Sequence, residues 1–102
     1  MANGKMKIAT CQFAVSESIV ANANFICEFM QEAKAAGADI VHFSECALSG
    51  YASVDFKDFE DFDWGLLKSH TEAIMSLAGK LKIWVVLGSS HRLTEPNGPH
   101  NC

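Results

Sequence analysis

The sequence predicts an α/β fold in which strands and helices alternate in the order β-α-β-α-β, with mostly parallel neighbouring strands. Two observations carry this prediction. Three short, continuously apolar runs have the composition of buried strands. Between them lie two segments whose apolar residues recur every three or four positions, as on one face of a helix. This alternation favours right-handed crossovers and a sheet that is buried on both faces.

The first strand and the first helix have clear sequence signals. "KIATCQF", residues 7–13, is apolar with a β-branched centre and is followed by turn and cap residues, which predicts a strand. An amphipathic helix is predicted over residues 20–36. Gly37 follows that helix where a residue in the left-handed conformation commonly ends one. The apolar face of the helix is formed by Ala23, Ile26, Phe29, Met30 and Ala33.

The second and third strands are predicted from "DIVHFS", residues 39–44, and "KIWVVLGSS", residues 82–90. A second helix lies between them, and its start has two candidates. The helix begins after Asp63, or it begins at Ser69, where "SHTE" has the spacing of a capping box. Its apolar face is marked by Ile74, Leu77, Ala78 and Leu81.

Two segments are less regular. Residues 53–65 place Phe56, Phe59 and Phe62 three positions apart, each preceded by an aspartate. We interpret this segment as a surface turn or short 3₁₀ stretch whose aromatic rings cover the core, and the alternative is a lid over a pocket. The final segment, "TEPNGPHNC", residues 94–102, is rich in Pro, Gly and Asn and predicts a turn.

Composition limits the classes of protein that fit. The chain has 102 residues, of which 49% are hydrophobic, so one compact unit is expected. A net charge of −4 without a basic cluster excludes nucleic acid as the expected partner. No apolar run has membrane-spanning length, and the one near the start is too short for a signal peptide. The four cysteines form no CxxC pair, which favours reduced thiols and a cytoplasmic protein.

Glu45 follows the second strand within "VHFSECALSGY", residues 41–51. In parallel α/β sheets, ligands bind beyond the carboxyl ends of the strands, because the loops there carry function while the strands hold them in place. A carboxylate in this position is typical of a general acid or base. The alternative is that Glu45 turns outward or binds neighbouring loop amides.

The residues around Glu45 resemble the nitrilase, or carbon-nitrogen hydrolase, superfamily. "FSECALSGY" resembles its first catalytic segment, in which a glutamate follows an apolar strand and a Leu-Ser/Thr-Gly-Tyr turn comes next. "MKIATCQF", "KAAGADIVHFSE", "LAGKLKIWVVLGSS" and "PHNC" are similar to other family segments in the same order. One departure is Ser44, which stands where the family usually has proline. The resemblance covers nearly the whole chain.

The resemblance implies both a fold and a reaction. Residues 1–102 would be a single partial domain, the N-terminal portion of an α-β-β-α sandwich in an enzyme that forms a homo-oligomer. Family members hydrolyse amides, nitriles or carbamoyl compounds with a glutamate, a lysine and a cysteine, and they need no metal or other cofactor. Glu45 matches the glutamate, which acts as the base. The lysine and the cysteine belong to later family segments, so this chain alone is expected to be inactive.

Apart from Glu45, two residues are candidates for contacting substrate, and the remaining reactive residues are set aside. Tyr51 and His91 are candidates for contacting substrate, against simple packing of Tyr51 in the turn and an ordinary loop position for His91. His42 is expected to be a satisfied core or sheet-edge histidine. The spacings of the histidines match no zinc pattern, and none of the cysteines qualifies as the nucleophile. The residues considered and set aside as nucleophile or catalytic lysine are Cys11, Cys27, Cys46, Cys102, Lys80 and Lys82. The competing hypothesis is a non-catalytic α/β module that associates with itself.

Overall fold

The computed structural model describes residues 4–92 and 99–102. The predicted order of three strands and two helices is confirmed, although the first and third strands are shorter than their apolar runs. Two short strands follow. Of the predicted terminal turn, residues 94–98 lie outside the described residues. The elements are β1 (Ile8–Cys11), α1 (Ile19–Ala35), β2 (Ile40–Phe43), α2 (Trp64–Leu81), β3 (Trp84–Val86), β4 (His91–Arg92) and β5 (Pro99–His100).

The main sheet is parallel, as the alternating pattern predicts, and its strands lie in the order β1-β2-β3. Ile40 in the central strand pairs with Ile8 on one side and with Trp84 on the other. A separate two-stranded antiparallel sheet joins β4 to β5. The carboxyl ends of β1, β2 and β3 therefore lie at one edge of the main sheet, and the segment after β2 begins there.

Helix α1 has a defined cap at each end. At its start, the Ser18 hydroxyl accepts a hydrogen bond of 3.1 Å from the backbone N–H of Ala21. At its end, Gly37 has φ +82, and the N–H of Ala38 reaches back to the Ala33 carbonyl at 3.0 Å. Glycine takes this left-handed conformation without a Cβ clash, which confirms the predicted end of the helix.

Helix α2 begins at the earlier of its two candidate starts. The Asp63 carboxylate accepts a hydrogen bond of 2.9 Å from the N–H of Leu66, so Asp63 is the N-cap. Ser69 lies inside the helix. The helix ends at Leu81, before Lys82 in the left-handed conformation.

Both helices cover the same face of the sheet. Strands that follow one another in sheet order and are joined by right-handed crossovers place their helices on one side. The two helices pack against each other and against Val41 and Phe43 of β2, both of which are buried. The core consists mainly of Ile19, Ala23, Ile26, Met30, Ala33, Leu67, Ile74 and Ile83 together with these strand residues.

The other face of the sheet is open in the described part of the chain. Trp84 is 78% exposed, Ile8 57% and Val86 52%. The prediction of a sheet buried on both faces is therefore wrong for these residues, since one layer of helices covers one face only. His42 lies on the same open face of the central strand and is exposed, so its expected core or sheet-edge position is also wrong. One helical layer on one sheet corresponds to half of the expected sandwich.

Asn22, a fully buried polar residue of α1, links three parts of the chain. Its amide nitrogen donates hydrogen bonds to the carbonyls of Ser16, at 2.7 Å, and Leu48, at 2.9 Å. Its amide oxygen accepts from the N–H of Ser16 at 3.0 Å. Ser16 precedes α1, and Leu48 belongs to the turn after β2. Asn22 therefore fixes the position of that turn against the first helix.

We expect Asn22→Ala to lower the free energy of unfolding by about 2–4 kcal/mol, because it leaves the Leu48 carbonyl and the Ser16 backbone without their buried partner. The measurement is urea-induced unfolding followed by circular dichroism. Asn24→Ala is the matched control, since Asn24 is exposed on the same helix and should change stability by less than about 0.5 kcal/mol. Equal effects of the two variants would contradict the role of Asn22.

Candidate active site

Glu45 lies two residues after the end of β2, beyond the carboxyl edge of the sheet, and it is exposed. The backbone around it is held in a tight turn. The N–H of Ala47 donates to the Ser44 carbonyl at 3.2 Å, and the N–H of Gly50 donates to the Cys46 carbonyl at 2.9 Å. The carboxylate is therefore open to solvent on a backbone that the turn and the central strand hold in place.

The left-handed conformation of two residues allows the chain to reverse here. Cys46 has φ +54 and Gly50 has φ +80. Gly50 also lies so close to the preceding loop that a Cβ would be 2.6 Å from the Ser16 carbonyl oxygen. A side chain at Gly50 would thus be strained and would also clash. This explains in physical terms why the "SGY" turn of the sequence contains glycine.

Gly88, just after β3, packs directly against the Glu45 turn. Its carbonyl accepts a hydrogen bond of 3.1 Å from the N–H of Leu48. A Cβ at Gly88 would be 2.6 Å from the Cys46 nitrogen and would overlap the Ser44 carbonyl oxygen. The absence of a side chain at Gly88 therefore lets the end of β3 approach the backbone on both sides of Glu45.

A buried polar group, the Cys46 cluster (Cys46, Ser49 and Ser90), lies beneath the turn. The N–H of Ser90 donates to the Ser49 hydroxyl oxygen at 2.8 Å, and the two hydroxyl oxygens are 2.9 Å apart. The thiol of Cys46 accepts a hydrogen bond of 3.1 Å from the N–H of Cys102. In addition, the N–H of Cys46 donates to the Cys102 carbonyl at 2.6 Å. The turn is thus linked to the segments that follow β3 and β5.

The surroundings of the Cys46 thiol disfavour its thiolate form. Burial raises its pKa above the ordinary thiol value, and the negative charge of Glu45 acts in the same direction. Hydrogen bonds from the Cys102 backbone and from the Ser90 and Ser49 side chains lower the pKa without reversing the shift. Because Cys46 is buried while Glu45 is exposed, the two side chains face different surroundings. This agrees with setting Cys46 aside as the nucleophile.

The two candidate substrate contacts lie in different environments. Tyr51 is half-buried, and its backbone joins a turn in which its N–H donates to the Asp55 carboxylate at 2.8 Å. His91 is exposed on β4 and lines a cavity of about 630 Å³ between α2 and the β3–β4 segment. Neither Glu45 nor Tyr51 lines that cavity. Substrate contact by Tyr51 and by His91 stays a prediction.

The aromatic residues of the 53–65 segment pack on one another. The ring centroids of Phe56, Phe59 and Phe62 are 5.2–5.6 Å apart in pairs. Phe62 also approaches Trp64 at 4.6 Å, and the Arg92 guanidinium lies 5.2 Å from the Trp64 ring. Phe62 and Trp64 pack against the core. These contacts favour the interpretation of residues 53–65 as a turn whose aromatic rings cover the core, and they do not favour the alternative of a lid over a pocket.

Sequence reasoning missed three residues that position the turn and its surroundings, namely Gly88, Asn101 and Asn22. The side chain of Asn101 accepts a hydrogen bond of 2.9 Å from the N–H of Ala52, next to Tyr51. No local pattern signals this contact, because the partners are far apart in sequence. Asn22 had a usable signal, since it is a polar residue beside Ala23 on the face that α1 buries.

The described residues were compared with the requirements of a metal-binding cluster and of a membrane-spanning helix, and they meet neither. In residues 4–92 and 99–102, no three His, Cys, Asp or Glu side chains are grouped so as to hold a metal ion. Over the same residues, neither helix has the length and apolar character required to cross a membrane.

Comparison with protein-family models gives a match over nearly the whole chain. A family model described as carbon-nitrogen hydrolase matches residues 7–102, from the residue before β1 to the residue that hydrogen-bonds to Cys46. Comparison with curated proteins found no match. The matched region includes Glu45, its turn and every element of the fold.

We expect Gly88→Ala to lower the free energy of unfolding by about 1–3 kcal/mol, because the added Cβ would overlap the backbone around Glu45. The same variant should shift the backbone amide NMR signals of residues 44–50. Gly79→Ala is the matched control. A Cβ at Gly79, inside α2, meets no atom within 4 Å and should stabilise the helix by about 0.5–1 kcal/mol. Unchanged signals in Gly88→Ala would contradict the close approach.

Proposed function

Because the chain belongs to the carbon-nitrogen hydrolase family, we propose that it supplies the general base, Glu45, of an enzyme that cleaves a non-peptide carbon-nitrogen bond. The observation that carries the proposal is the exposed carboxylate at the carboxyl end of the central parallel strand. Gly50, Gly88 and Asn22 hold the backbone that carries it. A base on a fixed backbone needs little rearrangement to meet its partner.

In the proposed reaction, Glu45 removes the proton from a cysteine thiol. The thiolate then attacks the carbonyl carbon of an amide or carbamoyl compound, or the carbon of a nitrile. A lysine stabilises the negative charge that develops on the substrate. Ammonia or an amine leaves from the amide or carbamoyl adduct, which becomes a thioester, while a nitrile adduct takes up one water and loses ammonia to reach the same thioester. Another water then hydrolyses the thioester, which releases the acid and restores the cysteine thiol. This scheme uses no metal and no organic cofactor.

We infer that the lysine and the cysteine of this reaction come from outside residues 1–102. Cys46 is buried, and Cys11 and Cys27 are half-buried on β1 and α1. Cys102 is exposed, but in the family resemblance it matches a small strand residue and not the nucleophile. Lys82 precedes β3, whose first residue pairs with the first residue of β2, so it lies at the opposite end of the sheet from Glu45. The 102 residues alone are therefore proposed to be inactive, as a single partial domain of the family fold.

The proposed substrates are small amides, nitriles or carbamoyl compounds. The net charge of −4 supports neither nucleic acid nor an anionic membrane as a partner. A cytoplasmic location is proposed from the cysteines, which form no CxxC pair in the sequence.

A second candidate function, a self-associating α/β module, is favoured by the open face of the sheet. Trp84, Ile8 and Val86 expose large apolar side chains there. An apolar face of this kind is typical of a surface that another protein covers. We propose a second copy of the chain as the partner. This candidate applies to the 102 residues alone, because in the proposed larger hydrolase the other half of the expected sandwich would cover this face.

The first test of the hydrolase is the intact mass of the purified protein, followed by ammonia release from a panel of small amides and nitriles. A protein of 11.1 kDa should release none. In a larger protein that contains this chain, Glu45→Gln should reduce ammonia release by about 10²-fold or more, because it removes the base. Glu28→Gln, an exposed change on α1, is the control and should leave the rate unchanged.

Two results would contradict this proposal. Hydrolysis by the 11.1 kDa chain that depends on Glu45 would mean that the nucleophile lies within the 102 residues. In a larger active protein, full activity of Glu45→Gln would mean that another group is the base.

For the self-associating module, we expect Trp84→Lys to shift the protein from oligomer to monomer in sedimentation velocity, because it places a charge on the open face. Val54→Lys is the control, since Val54 is similarly exposed, at 75%, but lies in the turn after Tyr51 and not on the sheet. A monomeric unmodified protein, or the same shift in both variants, would count against association through this face.

A further inference from the structure

We propose that Cys46 and Cys102 form a reversible disulfide that joins the Glu45 turn to the end of the β5 segment. The two residues exchange hydrogen bonds. The N–H of Cys46 donates to the Cys102 carbonyl at 2.6 Å, and the N–H of Cys102 donates to the Cys46 sulfur at 3.1 Å. The sulfur of one cysteine is therefore already in contact with the backbone of the other.

This spacing fits the geometry of a disulfide. The 2.6 Å hydrogen bond from the Cys46 N–H to the Cys102 carbonyl places the two α-carbons within about 6.5 Å of each other, given standard backbone bond lengths. Disulfides span about 4.4–6.8 Å between α-carbons. Bond formation between Cys46 and Cys102 thus requires side-chain rotation and no large movement of the backbone. The other two cysteines, Cys11 and Cys27, pack against the core from β1 and α1.

The exposures of the two thiols set the order of the reaction. Cys102 is exposed, whereas Cys46 is buried beneath the turn. The Cys102 thiolate attacks a small disulfide such as oxidised glutathione, forms a mixed disulfide and releases one glutathione thiol. The Cys46 thiolate then attacks the Cys102 sulfur of that mixed disulfide and releases the second glutathione thiol. The protein loses two hydrogen atoms and is oxidised, while glutathione disulfide is reduced to two thiols.

The surroundings of Cys46 suit it to the second step. Burial raises its pKa, which disfavours direct reaction with an oxidant in solution. The N–H of Cys102 donates a hydrogen bond of 3.1 Å to the Cys46 sulfur, which stabilises the thiolate that attacks the neighbouring mixed disulfide. A bond between Cys46 and Cys102 would fix the residue that follows Glu45. The disulfide therefore acts on the backbone of the candidate active site, although its formation does not depend on Glu45 being a base.

The test treats the purified protein with excess oxidised glutathione, followed by acid quenching, intact mass and a non-reducing tryptic map. We expect the unmodified sequence to lose two hydrogen atoms, to retain no glutathione, and to give one species linking the peptides that carry Cys46 and Cys102. Cys46→Ser should stop with one glutathione attached to Cys102. Cys102→Ser should lose the linked species, and Cys27→Ser, the matched control, should retain it. A reducing agent should restore the starting mass.

Several results would overturn the proposal. These are glutathione that stays on Cys102 in the unmodified sequence, a link between two chains, a link to Cys11 or Cys27, or no loss of hydrogen at all. If Cys46→Ser fails to fold, Cys102→Ser still decides the question, because Cys102 is exposed and its replacement leaves the core untouched. A linked species that persists in Cys102→Ser would exclude this pair.

Discussion

The buried amide of Asn22 is the interaction on which the arrangement of this chain depends. The side chain satisfies its donors and its acceptor on the backbone of two segments that have no regular structure of their own, at Ser16 and Leu48. A buried amide is costly without partners, so the fold is stable only when both segments meet α1 at this point. The first helix thereby holds the turn that follows the second strand. Helix packing, turn geometry and the place of Glu45 are consequently one linked structure.

The order of elements was predictable because each has a local signal. The period of apolar residues separates helices from strands, and Ser18, Asp63 and Gly37 mark helix ends by side-chain capping or by tolerance of positive φ. The uncovered face was not predictable in the same way. Trp84 and Val86 make β3 read as a strand buried on both sides, although the described residues provide a cover for one side only. The apolar composition of a strand indicates that both of its faces need to be covered, but it does not indicate which part of a protein covers them.

The candidate site also combines features that the sequence predicts with features that it does not predict. The position of Glu45 at the carboxyl edge follows from the parallel order of the strands, which the sequence pattern indicated. Gly88 and Asn101 act on the turn from distant positions in sequence, and Cys46 adopts a positive φ that no propensity would assign to it. Such contacts depend on tertiary packing and leave no periodic trace. Membership of the carbon-nitrogen hydrolase family supports the general chemistry, while the proposed role of Glu45 is argued from its place in the fold.

The two tryptophans of the chain lie in opposite surroundings. Trp64 is packed among aromatic rings and beneath the Arg92 guanidinium, while Trp84 faces water from the open side of the sheet. The wavelength of tryptophan fluorescence depends on the polarity around the indole ring, so Trp64 and Trp84 act as two intrinsic fluorescent probes in different surroundings. One probe reports on the aromatic turn and the other on the uncovered face. The emission of each tryptophan therefore depends on a different surface of the protein.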